Sequence, residues 1–144
     1  LARLAPEPLC AQFDTDWLTR KLAGRSTPIK VAIMDAQCVV GVGNIYASES
    51  LFRAGISPLR PAASLNANEI ARLLAEIRST LAAAIAAGGT TLRDYVDSDG
   101  KAGYFSLQCA VYDRAGLPCP HCGQVVAQTR QAQRATYWCP HCQH

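Results

Sequence analysis

Four cysteines near the end of the sequence have the spacing of a metal site. They occur in two identical tetrapeptides, Cys119-Pro-His-Cys122 and Cys139-Pro-His-Cys142, with sixteen residues between them. Two residues between paired thiolates let a tight turn direct both sulfurs at one ion, and the intervening length suits a β-hairpin. We call each tetrapeptide a knuckle. The spacing predicts one structural Zn²⁺ held by all four thiolates.

Two other interpretations of the cysteines remain open at this point. Redox-active C-x-x-C pairs usually accompany a βαβ pattern, which this sequence does not show. A histidine could also replace one thiolate, and the candidates are His121, His141 and His144. With four thiolates, zinc has no open position for water or substrate, so we expect it to stabilise a hairpin rather than to do chemistry.

Arginines without acidic neighbours lie on the segment that the metal would stabilise. Arg130 and Arg134 stand between the knuckles, and no Asp or Glu follows Asp113. An arginine on a rigid hairpin can form two parallel charge-assisted hydrogen bonds to a phosphate, although a merely solubilising arginine is the alternative. Because the whole chain carries a formal charge of only +3, the pattern indicates a local anion-binding patch.

A second candidate anion site lies at the start of a predicted helix, in Val42-Gly43-Asn44. Backbone N–H groups and the positive end of the helix dipole would meet an anion there, whereas an ordinary asparagine N-cap is the alternative. Arg25 and Lys30 are nearby cations. Lys30 falls in the first turn of a short helix, where a cation is unfavourable; a phosphate partner or a solvated surface position would explain it equally well.

A mainly helical chain would position these residues. Signals at helix ends predict a helix that begins at Asp14 or Thr15, then helices over 29–34 and 45–53 with two turns between them. The longest helix would be capped by Asn66 or Asn68 and would end at Gly88-Gly89. Its apolar stripe, which we expect in the core, comprises Ile70, Leu73, Leu74, Ile77, Leu81 and Ile85.

The rest of the sequence predicts binding rather than catalysis. The long polar segment 90–105 is of a type that is often functional, and a short strand over 108–112 would lead into the hairpin. Glu49 and Glu69 are single carboxylates that we expect to be solvated. Because no Walker loop, paired carboxylates or Ser/His/Asp arrangement is evident, we expect a nucleic-acid-binding module with a structural zinc rather than a self-sufficient active site.

The remaining cysteines and the hydropathy indicate the compartment. Cys10, Cys38 and Cys109 are isolated in the sequence, which favours buried thiols over a disulfide framework. No signal peptide is visible, and the longest apolar stretches are shorter than a membrane span. We therefore expect a protein of the reducing cytoplasm without membrane attachment.

Several motifs in a fixed order resemble the bacterial formamidopyrimidine-DNA glycosylases, from Pro6 to Cys142. They are the segment 40–50, Gly89-Thr90-Thr91-Leu92, Ser98-Asp99-Gly100, Gly103-Tyr104-Phe105 and Gln133-Arg134-Ala135-Thr136. The resemblance implies a mainly α fold: a helix-two-turn-helix bundle over residues 1–107, then a small zinc-ribbon β-hairpin over 108–144. It also implies a bacterial monomer that binds double-stranded DNA containing an oxidised purine or an abasic site.

The resemblance also assigns roles to single residues. Asn44 matches an asparagine that binds backbone phosphate at the lesion, and Tyr112 matches a tyrosine that contacts phosphate. Arg134 matches an arginine that grips the same phosphates and donates the proton in δ-elimination. The segment 90–105 matches the loop that closes over the everted base.

Further DNA contacts follow from the same resemblance. Arg25 and Lys30 match basic positions, and Gly43 precedes the phosphate-binding asparagine. Some members of the family carry a lysine at the position of Gln128, and here we expect Arg130 to supply that charge.

The activity that the resemblance implies needs residues beyond this sequence. The family excises 8-oxoguanine and formamidopyrimidines and cleaves the abasic strand by β- and δ-elimination, with an N-terminal proline amine as nucleophile. Leu1 is not that proline, so we expect the catalytic half to be missing and these 144 residues to be inactive alone. A stand-alone zinc-ribbon nucleic-acid-binding module without catalysis is the alternative.

Overall fold

Helices make up most of the described chain, and a two-stranded hairpin follows them. The computed structural model describes residues 6–86 and 109–144. The helices are α1 (Thr15–Leu22), α2 (Ile29–Ile33), α3 (Asn44–Ala54) and α4 (Ala67–Ala86), and the antiparallel strands are β1 (Ala127–Gln131) and β2 (Arg134–Trp138). The predicted mainly α fold is confirmed. The expected boundary at residue 107 lies outside the described residues.

Helix limits follow from short-range hydrogen bonds that the sequence predicts. The Asp14 carboxylate accepts from the backbone N–H of Trp17 at 2.9 Å and caps α1. At the start of α4, the Asn66 side chain accepts from the Glu69 N–H at 2.8 Å, and the Glu69 carboxylate accepts from the Asn66 N–H at 2.9 Å. This reciprocal pair is a capping box, so Asn66 rather than Asn68 caps the helix. Gly55 ends α3 with φ at +75°.

Glu69 is not simply solvated, and that prediction is wrong. Besides its role in the capping box, its carboxylate accepts from Arg60 at 2.5 Å and 3.0 Å. The hydrogen bonds from Arg60 lower the pKa of Glu69. The loop between α3 and α4 brings Arg60 back over the first turn of α4, a placement that no local pattern reveals.

The core lies where α3 and α1 pack on α4. The α4 stripe is buried at Ile70, Leu73, Leu74 and Ile77, whereas Ile85 is 43% exposed, contrary to prediction. Helix α4 has 20 residues and is therefore about 30 Å long. The 8 residues of α1 and 11 of α3 are too short to cover it fully. Among residues 6–86 and 109–144, no helix is both long and apolar enough to cross a membrane.

Two of the three isolated cysteines lie in the interior, as expected. Cys38 and Cys109 are buried, whereas Cys10 is half-buried and its thiol donates to the Gln12 side chain at 2.6 Å. Burial raises the pKa of Cys38 to about 11, so this thiol is protonated at neutral pH.

Glu49 is fully buried on α3, contrary to the prediction of a solvated carboxylate. It accepts backbone hydrogen bonds from Ala110 at 2.8 Å, Val111 at 2.9 Å and Tyr112 at 2.8 Å. The predicted strand over 108–112 is wrong for its described residues, 109–112, which are irregular. A carboxylate, instead of a neighbouring strand, satisfies these amides.

We predict that Glu49→Gln lowers the free energy of unfolding by about 2 kcal/mol, because the single amide oxygen can replace only one of the two carboxylate oxygens, and at the other an NH₂ group meets backbone N–H. Urea unfolding followed by circular dichroism measures the change. The exposed Glu7→Gln is the matched control and should stay within about 0.5 kcal/mol of the wild type. Equal stabilities of the two variants would contradict the anchoring role of Glu49.

Candidate nucleic-acid interface

The four knuckle cysteines converge on one point. Their sulfurs all lie within 4.8 Å of one another. The Sγ atoms of Cys119 and Cys142 are 3.9 Å apart, and those of Cys122 and Cys139 are 3.5 Å apart. A tetrahedral site with Zn–S bonds of about 2.3 Å places its sulfurs about 3.8 Å apart. The four thiolates therefore fit a single Zn²⁺ in a closed site, as predicted.

Backbone amides surround these sulfurs. The N–H of His121 lies 3.3 Å from the Cys119 sulfur, and the N–H of Cys142 lies 3.4 Å from that of Cys139. Such bonds orient and stabilise metal-bound thiolates. Within the described residues the cluster contains cysteines alone, so histidine replaces none of them. Those residues also form a single antiparallel hairpin rather than the βαβ unit that accompanies redox pairs.

A two-residue turn presents the hairpin arginines. Ala132 and Gln133 have φ of +49° and +67°, as in the turns that match the twist of paired strands. Arg134 follows at once as the first residue of β2 and is exposed. Arg130 is also exposed, and its guanidinium donates to the Gln133 carbonyl at 2.8 Å. The turn therefore places both arginines at the tip of the hairpin.

Lys30, on α2, lies at the centre of a polar cluster that joins the helices to the hairpin. It is only 1% exposed, so the interpretation as a solvated lysine is wrong. Its ammonium group donates to the Asn44 side chain at 2.5 Å, the Thr136 hydroxyl at 2.8 Å and the Ala135 carbonyl at 3.3 Å. Burial and the nearby guanidinium of Arg134 lower the pKa of Lys30 to about 8.

Asn44 is the first residue of α3, with Gly43 as the N-cap and no side-chain cap. The interpretation as an ordinary asparagine N-cap is therefore wrong. Its amide nitrogen donates to the Ala135 carbonyl at 2.9 Å, while its oxygen accepts from Lys30. The amide thus connects the positive end of the α3 dipole to the strand that begins with Arg134.

An open cavity of about 310 Å³ lies beside this cluster. Three cations line it, Arg25, Lys30 and Arg134, against the single carboxylate of Asp35. The Asp35 carboxylate pairs with Arg25 at 3.3 Å, which leaves the other two cations without an acidic partner in the lining. The structure therefore brings together basic residues that are distant in sequence, in an arrangement suited to an anion.

The other predicted site residues lie around this centre. Tyr112 is half-buried and packs edge-on against Tyr137, with ring centroids 5.2 Å apart. A Cβ added at Gly43 would meet no atom within 4 Å, so packing does not demand glycine there. The predicted lesion loop, 90–105, lies outside the described residues.

Two further residues of the hairpin, Gln131 and Thr136, belong to the cluster. The Thr136 hydroxyl donates to the Gln131 side chain at 3.0 Å, and the Gln131 amide donates to the Pro58 carbonyl at 3.1 Å. These bonds extend the polar contact from Lys30 to the loop after α3. The bond to Pro58 spans 73 positions of the chain, so no local sequence pattern predicts it.

We predict that chelating the metal, or Cys139→Ser, removes one zinc per chain and unfolds the hairpin but not the helices. The apolar cluster under the hairpin is small and includes two zinc ligands, so it is insufficient alone. Colorimetric zinc release and NMR of residues 127–138 measure the loss. Cys10→Ser, at a cysteine outside the cluster, should retain both zinc and hairpin. An ordered hairpin in the metal-free chain would contradict this role.

The sequence matches two established family models. The model described as "Formamidopyrimidine-DNA glycosylase H2TH domain" covers residues 4–96, and "Zinc finger found in FPG and IleRS" covers residues 116–144. The formamidopyrimidine-DNA glycosylase of Laribacter hongkongensis is 57% identical over 143 residues, 99% of this chain and 53% of its own length. The formamidopyrimidine-DNA glycosylase of Dechloromonas aromatica is 57% identical over 144 residues, which are 100% of this chain and 52% of the relative's own length. The chain spans about half the length of these curated relatives.

Solved structures agree with this assignment. The crystal structure of MutM (Fpg) from Thermus thermophilus is 46% identical with a TM-score of 0.86, over 99% of this chain and 55% of that one. The structure of Lactococcus lactis Fpg, non-covalently bound to DNA containing an AP site, is 30% identical with a TM-score of 0.86. The match covers 98% of this chain and 50% of the Lactococcus lactis chain. The resemblance found in the sequence is confirmed. This chain belongs to the formamidopyrimidine-DNA glycosylase family, of which it contains the H2TH domain and the zinc finger.

Proposed function

We propose that this chain is the DNA-binding half of a bifunctional base-excision-repair glycosylase and AP lyase. The intact protein would remove oxidised purines such as 8-oxoguanine and formamidopyrimidines, then cleave the abasic strand by β- and δ-elimination. Family membership supports this proposal. So do the relatives solved with carbocyclic 8-oxo-G, FAPY-dG and AP-site DNA. Because the chain spans about half the length of its curated relatives, the activity is proposed for the whole protein.

The single observation that carries the proposal is the joint position of Asn44 and Arg134. Asn44 opens α3 and bonds to the Ala135 carbonyl, next to Arg134 in β2. A phosphate at this junction would meet a helix N-terminus and a guanidinium together. Contacts of this kind position a protein on the DNA backbone and carry no base specificity.

Lys30 and Arg25 would contribute in different ways. Lys30 is enclosed by its three acceptors, so it would hold Asn44 and β2 together and add positive potential. Arg25 is partly engaged by Asp35 and would exchange that partner for phosphate.

The remaining assignments rest on the family resemblance. Tyr112, Gly43 and Arg130 would complete the DNA contacts. Arg134 would also donate the proton in δ-elimination. The proposal includes a helical DNA-binding domain over 1–107, a zinc finger over 108–144, and action as a monomer in the bacterial cytoplasm.

We predict that Arg134→Ala weakens binding to a duplex with an abasic-site analogue by about tenfold or more, and lowers the slope of log affinity against log salt by about one. The reason is the loss of one phosphate contact. Fluorescence anisotropy at several KCl concentrations measures both quantities. Arg53→Ala removes an exposed arginine that lines a different cavity, and should change neither. Unchanged affinity and slope in Arg134→Ala would refute the interface.

We predict that the 144-residue chain alone forms no covalent adduct with 8-oxoguanine duplex when borohydride is added. Borohydride traps the iminium that an N-terminal proline forms in this family, and residue 1 here is leucine. A full-length member of the family is the positive control. A trapped adduct would overturn the proposed division of labour, and DNA binding without any adduct would support it.

A further inference from the structure

The two knuckles are identical in sequence but continue differently. In each, the N–H of the residue after the second cysteine bonds to the carbonyl of the first: Gly123 to Cys119 at 2.8 Å, and Gln143 to Cys139 at 2.9 Å. Gly123 has φ at +84° and leads the chain towards β1. Gln143 takes the equivalent place in the second knuckle, but its side chain extends to the helices.

Gln143 uses both ends of its amide. It is 2% exposed, and its oxygen accepts from the backbone N–H of the zinc ligand Cys139 at 2.8 Å. Its nitrogen donates to the Ile56 carbonyl, in the turn after α3, at 2.9 Å. One side chain therefore connects the metal site to the helical bundle.

The next residue strengthens the same contact through its backbone. The His144 N–H donates to the Gly55 carbonyl at 3.1 Å, and the Ser57 N–H donates to the His144 carbonyl at 3.1 Å. Arg60 also donates to that carbonyl at 3.4 Å. His144 thus pairs with the turn at 55–57 much as a residue of a short strand would.

Helix α3 and strand β2 are consequently joined at both ends. The start of α3 meets the start of β2 through Asn44 and Ala135, and the end of α3 meets the end of β2 through Gln143. The two attachments lie at opposite ends of α3 (Asn44–Ala54) and of β2 (Arg134–Trp138). A strand held at one end can pivot, whereas one held at both ends keeps its direction.

We propose that Gln143 is a positioning residue that docks the zinc knuckle on the turn after α3 and thereby sets the place of Arg134 relative to Asn44. This inference rests on the proposed DNA-binding function for its effect on affinity. Its structural part stands on the hydrogen bonds of Gln143 alone.

The test uses Gln143→Met in the full zinc-loaded chain, because methionine fills a similar volume without either hydrogen bond. We expect one zinc per chain and wild-type helical circular dichroism, together with about tenfold weaker binding to the abasic-analogue duplex, as for loss of one or two hydrogen bonds. In an Arg134→Ala background, Gln143→Met should lower the affinity for the duplex only slightly, since both residues act through the same phosphate contact. Gln124→Met, at an exposed glutamine after the first knuckle, should leave affinity unchanged.

Several outcomes would overturn the inference. These are wild-type affinity in Gln143→Met, loss of its zinc, or an equal, additive loss in the Arg134→Ala background, which indicates a merely structural role. NMR of the Asn44 side-chain NH₂ separates this inference from the proposed function, because it needs no DNA. Its resonances should shift in Gln143→Met and not in Gln124→Met. A shift in a chain that binds no DNA would support the docking and refute the proposed function.

Discussion

The ammonium group of Lys30 connects its own helix, α2, to the start of α3 and to strand β2. The rest of the interface depends on its hydrogen bonds. An ammonium group in the interior is costly unless its donors are satisfied, and Asn44, Ala135 and Thr136 satisfy them. All three acceptors are neutral, so they hold the cation without cancelling its charge. The basic cavity beside it, lined also by Arg25 and Arg134, therefore keeps the potential that an anion would meet.

Zinc and this polar cluster have complementary roles. The hairpin is small and rests on a limited apolar cluster, so the metal supplies the internal stability that a larger core would otherwise provide. The hairpin must also be placed on the helices. That placement comes from side chains that bind backbone carbonyls of another element: Asn44 to Ala135, Gln131 to Pro58 and Gln143 to Ile56.

Sequence-based expectations succeeded where the cause was local and failed where it was distant. A sequence pattern can identify the capping box of Asn66 and Glu69, because both residues lie in one helical turn. Glu49 was misjudged as solvated, because the amides that it binds are 61 to 63 positions further along the chain. Ile85 fits the helical stripe, yet its exposure depends on how far neighbouring helices extend along α4. The strand predicted over 108–112 was wrong for the same reason, because the distant Glu49 binds the amides that a neighbouring strand would otherwise bind.

Residue types at short, fixed spacings were enough to identify the zinc ligands, the starts of the helices and the family. The roles of Lys30, Glu49 and Gln143 became visible only in the folded structure. Lys30 and Thr136 are 106 positions apart, and Gln143 and Ile56 are 87 apart. A buried polar side chain is defined by the partner that satisfies it, and folding alone brings that partner within hydrogen-bonding distance.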